Sequence, residues 1–228
     1  MRYILRPRIL LPLAVLFVLT GCITIEENYT FKKNGSGTLE YVVDMSEIGD
    51  LMKAFEGIGD GAAGKDDGDM GALDMKDEVE ALKRIPGIKK VKVNDKKKFV
   101  QRLSFSFADI TALNQALNVL MTDSTGQEHT FFTWEGNTLV RTNNDHAREL
   151  GKGMGGEEEG SDSTDMTQFL ESMKYKYSFT FAQPVGTTVL GTGMNEERPK
   201  AKQVLMDTDW SRITQDPKAL DLRIELTQ

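Results

Sequence analysis

Cysteine, histidine and proline are all scarce in this chain. One cysteine, Cys22, in 228 residues rules out a disulfide within the chain and any metal site built on several thiolates. The two histidines, His129 and His146, are 17 positions apart, and no His-Glu-x-x-His helix exists, so the familiar zinc signature is missing. Basic residues are outnumbered 35 to 28 by acidic ones, for a net charge of −7, which leaves no electrostatic reason to bind nucleic acid. Long apolar runs are missing too. The run from Ile9 to Leu19 has 11 residues, interrupted by Pro12, whereas a membrane-spanning helix needs about 20. No internal repeat stands out.

What that short run does fit is an export signal. Arg2, Arg6 and Arg8 give a positive start, the apolar segment follows, and small residues lead into Cys22. Leu19-Thr20-Gly21-Cys22 resembles the lipobox of bacterial lipoproteins. There the cysteine sulfur is alkylated with diacylglycerol, the signal is cut between the residues that correspond to Gly21 and Cys22, and acyl chains such as palmitate hold the protein on the bilayer. On this reading residues 1–21 are a lipoprotein signal peptide and 22–228 a single exported domain. Lipidation consumes the only thiol, so thiolate catalysis is excluded and the fold relies on burial and backbone pairing. Ile23 follows the cysteine where an aspartate would, in enterobacteria, favour inner-membrane retention, so the expected address is the cell envelope, outer rather than inner membrane.

Hydrophobic residues make up 39% of the chain, enough for a folded core. Ile23 to Lys32 alternates as a strand with Ile23, Ile25, Tyr29 and Phe31 on one face. Asn34-Gly35-Ser36-Gly37 tolerates the positive φ of a tight hairpin turn, and Thr38 to Asp44 returns as the second strand. The spacing of Met45, Ile48, Leu51, Met52 and Phe55 predicts a helix, as does that of Leu73, Val79, Leu82 and Ile85 before Pro86-Gly87. Strands around Val91 and Phe99–Phe107 flank a polar turn that holds Lys96, Lys97 and Lys98. Asp109 opens a further helix through Leu113, Leu117 and Leu120, and Glu135-Gly136-Asn137 marks another hairpin. Tyr175, Tyr177, Phe179 and Phe181 share a strand face, Thr187–Gly193 reads as a turn region, Ala201–Met206 as a strand and Leu220–Leu226 as the last one. The sum is an α+β domain, mainly an antiparallel sheet built from hairpins with three to four helices. Flexible acidic Gly-rich loops are expected near 57–72 and 151–165.

Four patterns invite chemistry. Asp60, Asp66, Asp67 and Asp69 could bind calcium, but EF-hand ligand order cannot be laid over them, so a solvated loop is the expectation. Gly151-Lys152-Gly153-Met154-Gly155-Gly156 matches G-x-G-x-x-G without the strand before it, and Glu157, Glu158 and Glu159 would repel a phosphate. Each histidine reads as a lone surface residue. Lys96, Lys97 and Lys98, with Lys89, Lys90 and Lys92 nearby, form the strongest basic cluster. They serve a solvated hairpin tip that discourages edge pairing, or else a patch for an anionic ligand.

The order of these features resembles the LppM-like lipoproteins of bacteria, a family mostly of unknown function. The lipobox is followed within about a dozen residues by a strand and the Asn34–Gly37 turn. Phe99–Leu113 is a strand running into the Asp109-Ile110 helix start. A late strand, Asn195 and a second strand then close on Thr208-Asp209-Trp210. The two long acidic glycine loops depart from that pattern, as does the lack of a second membrane span at the C-terminus. The resemblance implies an exported, lipid-anchored α+β domain with a lipid or glycolipid ligand, and it supplies no catalytic residue.

The function expected is therefore that of a membrane-anchored envelope lipoprotein without catalytic activity or cofactor, tied to the bilayer through diacylglyceryl-cysteine. Its partner would be a lipid, a glycan or another envelope protein. The alternatives are a hydrolase of envelope polymers using paired carboxylates, and a scaffold whose acidic loops engage a basic partner.

Overall fold

A computed structural model describes residues 23–47, 75–155 and 163–227. Its strands are β1 (Thr24–Phe31), β2 (Gly37–Asp44), β3 (Ile88–Lys97), β4 (Val100–Phe107), β5 (Phe132–Glu135), β6 (Thr138–Arg141), β7 (Lys174–Phe181), β8 (Val185–Leu190), β9 (Asn195–Lys200), β10 (Gln203–Asp209) and β11 (Leu222–Leu226). The helices are α1 (Lys76–Arg84), α2 (Ile110–Leu120), α3 (Asp145–Gly155), α4 (Ser163–Ser172) and α5 (Trp210–Gln215). The signal segment, Gly21, Cys22, most of the helix expected from Met45 and the acidic stretch 57–72 lie outside the described residues.

The strands form two sheets. One has seven strands in the order β3-β4-β2-β1-β7-β10-β9, the other four in the order β5-β6-β11-β8. The hairpins expected at 32–37 and 135–138 are present as β1–β2 and β5–β6. Gly35 and Gly136 take the positive φ their turns need. Gly37 is required for another reason. A Cβ there would run into the Thr30 carbonyl oxygen and the Phe107 ring.

The sheet is not purely antiparallel. At its centre β1 pairs in parallel with β7, with Ile25 opposite Tyr175 and Phe31 opposite Phe181. A parallel pair needs a long crossover, here everything from β2 to α4, so local turn signals gave no hint of it. Two further strands were not expected. Val185–Leu190, which overlaps the Thr187–Gly193 region expected as a turn, pairs with β11, and Asn195–Lys200, given no element from the sequence, forms an exposed edge strand beside β10. Helix α3 runs through Gly155, and α4 starts at Ser163, so helix occupies both ends of the stretch read as the loop 151–165.

Alternation decides which face of the large sheet is covered. Tyr29 and Phe31 on β1, Leu103, Phe105 and Phe107 on β4, and Tyr175, Phe179 and Phe181 on β7 are buried on one side. Glu26, Asn28, Arg102 and Ser104 face the other, wetter side. The small sheet supplies Phe132, Leu139, Leu222 and Ile224 to the same core, and α2 supplies Leu113, Ala116 and Leu117. Helix α2 starts where Asp109 caps it, its carboxylate accepting from the Ala112 N–H at 2.9 Å. Trp210, the first residue of α5, is fully buried against Tyr175. Among the described residues no helix is long and apolar enough to cross a membrane.

Candidate functional site

The covered face of β1 reads Ile25, Glu27, Tyr29, Phe31, so an acid stands in the middle of an apolar row. Glu27 is completely buried, as is Arg141 at the end of β6 in the opposite sheet. Arg141 Nη1 donates to Glu27 Oε2 at 2.6 Å and Nη2 to Oε1 at 3.0 Å, a two-pronged pair. Nη1 also donates to the Tyr29 hydroxyl at 2.9 Å, Nε to Asn144 Oδ1 at 2.9 Å, and Nη2 to Met121 Sδ at 3.6 Å. That accounts for all five guanidinium donors. Glu27 in turn accepts from the Tyr29 and Tyr175 hydroxyls. The guanidinium lies 4.9 Å from the Phe132 ring centre and 4.8 Å from that of Tyr177.

Electrostatics follow from this enclosure. Burial works against the Arg141 charge, but the Glu27 carboxylate beside it prevails and holds the guanidinium above its usual range. Burial, then the Glu27 charge, pushes the Tyr29 and Tyr175 hydroxyls well above theirs. Asn144 Nδ2 extends the network to Asp221 Oδ1 at 3.0 Å, and burial raises that carboxyl. With Glu27 and Arg141 at zero exposure, a substrate has no approach to either. The cluster is a strut between sheets.

The exposed chemistry lies further along β1. Where the two sheets end, a cleft of about 640 Å³ opens between the β1–β2 turn, the β5–β6 turn and the chain after β7. Its floor is Phe31, Trp134, Phe181 and Leu226, with Phe31 edge-on to Trp134 at 5.8 Å and stacked on Phe181 at 5.7 Å. Lys32 and Lys33 stand exposed at the rim, with Asn137 and Gln183 as neutral polar groups. Among the described residues no carboxylate lines it. The Trp134 indole N–H has no hydrogen-bond partner among the described residues.

A second groove, of about 310 Å³, lies on the outer face of the large sheet, lined by Glu26, Glu197 and Asp207 with Lys176. Of the two, only this one offers carboxylates to a hydrolytic reading. Among the described residues no three His, Cys, Asp or Glu side chains come together as metal ligands.

The lysines singled out in the sequence, Lys96, Lys97 and Lys98, are exposed at the tip of the β3–β4 hairpin. Lys98 Nζ sits 5.1 Å over the Phe99 ring, and Lys97 reaches Asp44 at 3.9 Å. They are not part of the cleft. The histidines are not lone surface residues. His129 Nε2 lies 2.5 Å from Asp123 Oδ2, and the Thr125 hydroxyl followed by His129 lowers that carboxyl's pKa. His146 has both ring nitrogens shut away without a partner among the described residues, and burial, then the Arg141 charge, depresses it to about 3. Sequence reading missed Glu27, Arg141, Lys32 and Lys33. The legible signals were an acid inside an apolar strand row and a Lys pair between Phe31 and a tight turn.

Fold and site together define a class: an α+β domain of two sheets pinned by a buried ion pair, with a basic, aromatic-floored cleft at one end. No protein family and no curated relative matches the sequence. Among solved structures, the chain is similar to the NMR structure of the folded domain of LppM from Mycobacterium tuberculosis. That domain is 13% identical, with 92% of this chain and 93% of that chain covered, at a TM-score of 0.44. Likeness at that level transfers no residue and no activity, so the cleft is read from its own chemistry.

Proposed function

We propose that this protein is a lipid-anchored envelope lipoprotein that acts by binding, and that the cleft beside Phe31 takes an anionic envelope glycan, free or as the headgroup of a lipid. The observation that carries the reading is a reversal of charge. In a chain of net charge −7, this cleft presents Lys32 and Lys33 and, among the described residues, no acid. Such a local field attracts an anion that the rest of the surface repels. The neutral amides of Asn137 and Gln183 suit hydroxyl groups, and the aromatic floor suits a sugar face or a short apolar segment.

The anchor at Cys22 favours a glycan over the bilayer's own headgroups. Ile23 precedes β1 directly, and Phe31 ends it eight residues later, roughly 26 Å away at about 3.3 Å per residue. With Cys22 acylated, the cleft opens at the end of the sheet remote from the membrane. The expected address remains the outer membrane. A paired-carboxylate hydrolase finds no acid among the described residues of this cleft, which is why binding is preferred.

Native mass spectrometry of the full chain, extracted in mild detergent from its own membrane, tests the proposal. Retention of an anionic glycan or glycolipid, lost in the Lys32→Gln/Lys33→Gln variant, is the expected result. A wild-type protein carrying none, or a ligand held equally by the variant, refutes it.

A further inference from the structure

Strand register shows where the hairpin tip of Lys96, Lys97 and Lys98 points relative to the chain's start. Thr24, two residues after Cys22, pairs with Asp44 on β2, and Asp44 pairs with Val100 on β4. Val100 pairs with Lys97 on β3. The tip therefore lies at the same end of the seven-stranded sheet as residue 24, three strands away and about 14 Å across it at the usual strand spacing. The chain is fixed there, because Ile23 is buried and its carbonyl accepts from the Lys174 N–H at 2.9 Å. Almost no tether separates the anchor from the rigid sheet.

From this juxtaposition we infer that Lys96, Lys97 and Lys98 contact the anionic headgroups of the bilayer that holds Cys22, and so fix the domain upright with its cleft outward. The inference rests on the lipid-anchor reading. All three lysines are exposed. The acids nearby do not cancel them. Asp95 is one charge against three, and Asp44 is shared between Ser46, which donates to it through its N–H at 2.9 Å and its hydroxyl, and Lys97 at the long distance of 3.9 Å. Phe99, half-buried in the same turn with φ 64°, holds its ring beneath the Lys98 ammonium, an arrangement suited to the headgroup layer. Basic clusters close to an anchor respond to anionic lipid within about a Debye length, so a rigid link of this kind brings the lysines into range.

The anchored protein offers a direct test, because acylated Cys22 leaves no free thiol and an introduced cysteine is labelled alone. Spin labels at Asn94→Cys, beside the tip, and at Ala201→Cys, at the far end of the sheet, are read in the full lipidated chain. The vesicles are phosphatidylcholine with or without phosphatidylglycerol and carry a headgroup-bound nickel chelate as relaxer. The expected result is strong relaxation at position 94 only, and only with phosphatidylglycerol. Lys96→Gln/Lys97→Gln/Lys98→Gln should shift the contact equilibrium by roughly two orders of magnitude. The lipid comparison uses the lysine tip intact, so it holds whether or not the triple variant folds. Equal relaxation at 94 and 201 in phosphatidylglycerol vesicles, with the protein still floating with them, overturns the inference. Failure to float defeats the anchor reading itself, and this inference with it.

Discussion

The guanidinium of Arg141 faces the carboxylate of Glu27 across the gap between two sheets, with N–O distances of 2.6 and 3.0 Å and no exposure on either side. Removing one partner leaves the other charged and buried. Glu27→Leu or Arg141→Leu should each cost about 3–5 kcal/mol, whereas the two together should cost less than either single change. Chemical denaturation of the four proteins, compared as a double-mutant cycle, checks this. Additive losses would show that the pair does not act as a unit.

His146 makes stability pH-dependent. Its folded-state pKa of about 3 lies below the ordinary value of 6.5, so the unfolded chain binds the extra proton first. Its contribution is complete above about pH 6.5 and is lost as pH falls toward 3, by up to about 1.4 kcal/mol per pH unit. Thermal unfolding of the wild type between pH 7 and about pH 4.5 should show this slope, and His146→Leu should flatten it.

Gly37 is a packing prediction. Its missing Cβ leaves room for backbone as well as the Phe107 ring, and backbone does not swing aside. Gly37→Ala should destabilise by about 1–3 kcal/mol, read in the same denaturation experiment, and Gly35→Ala should act through φ strain alone because open space surrounds it.

On the lipid-anchor reading, Cys22→Ser should release the protein from the membrane fraction, because it removes the one thiol able to take the diacylglyceryl group. Circular dichroism of the variant should match the wild type, since the described fold begins at Ile23. A serine variant that stays membrane-bound and takes up labelled lipid would remove the lipobox reading.

How much was legible depended on range. The β1–β2 hairpin and the capped start of α2 were readable because Asn34-Gly35 and Asp109 act within a few residues. Glu27 passed unremarked inside the row of Ile25, Tyr29 and Phe31, because its partner lies 114 positions away. The parallel β1–β7 pair is equally non-local. Strand β9, Asn195–Lys200, is exposed at every residue, so it has no apolar alternation to reveal it. Lys32 and Lys33 do not by themselves signal a site, because the cleft they rim is completed only by β5–β6 and the end of β7, over 100 positions away. The lysines that did stand out, 96 to 98, belong to the other end of the sheet.

The central claim is that the cleft binds anionic glycan, and Trp134 is placed to report it, since it lines the cleft while the only other tryptophan, Trp210, is fully buried. The full chain is titrated with a uronic-acid oligosaccharide and, in parallel, with a neutral malto-oligosaccharide of equal length, following tryptophan emission. The account predicts a saturable change with the acidic sugar only, weakened about tenfold or more by Lys32→Gln/Lys33→Gln. Equal responses to both sugars, or none to either, would contradict it.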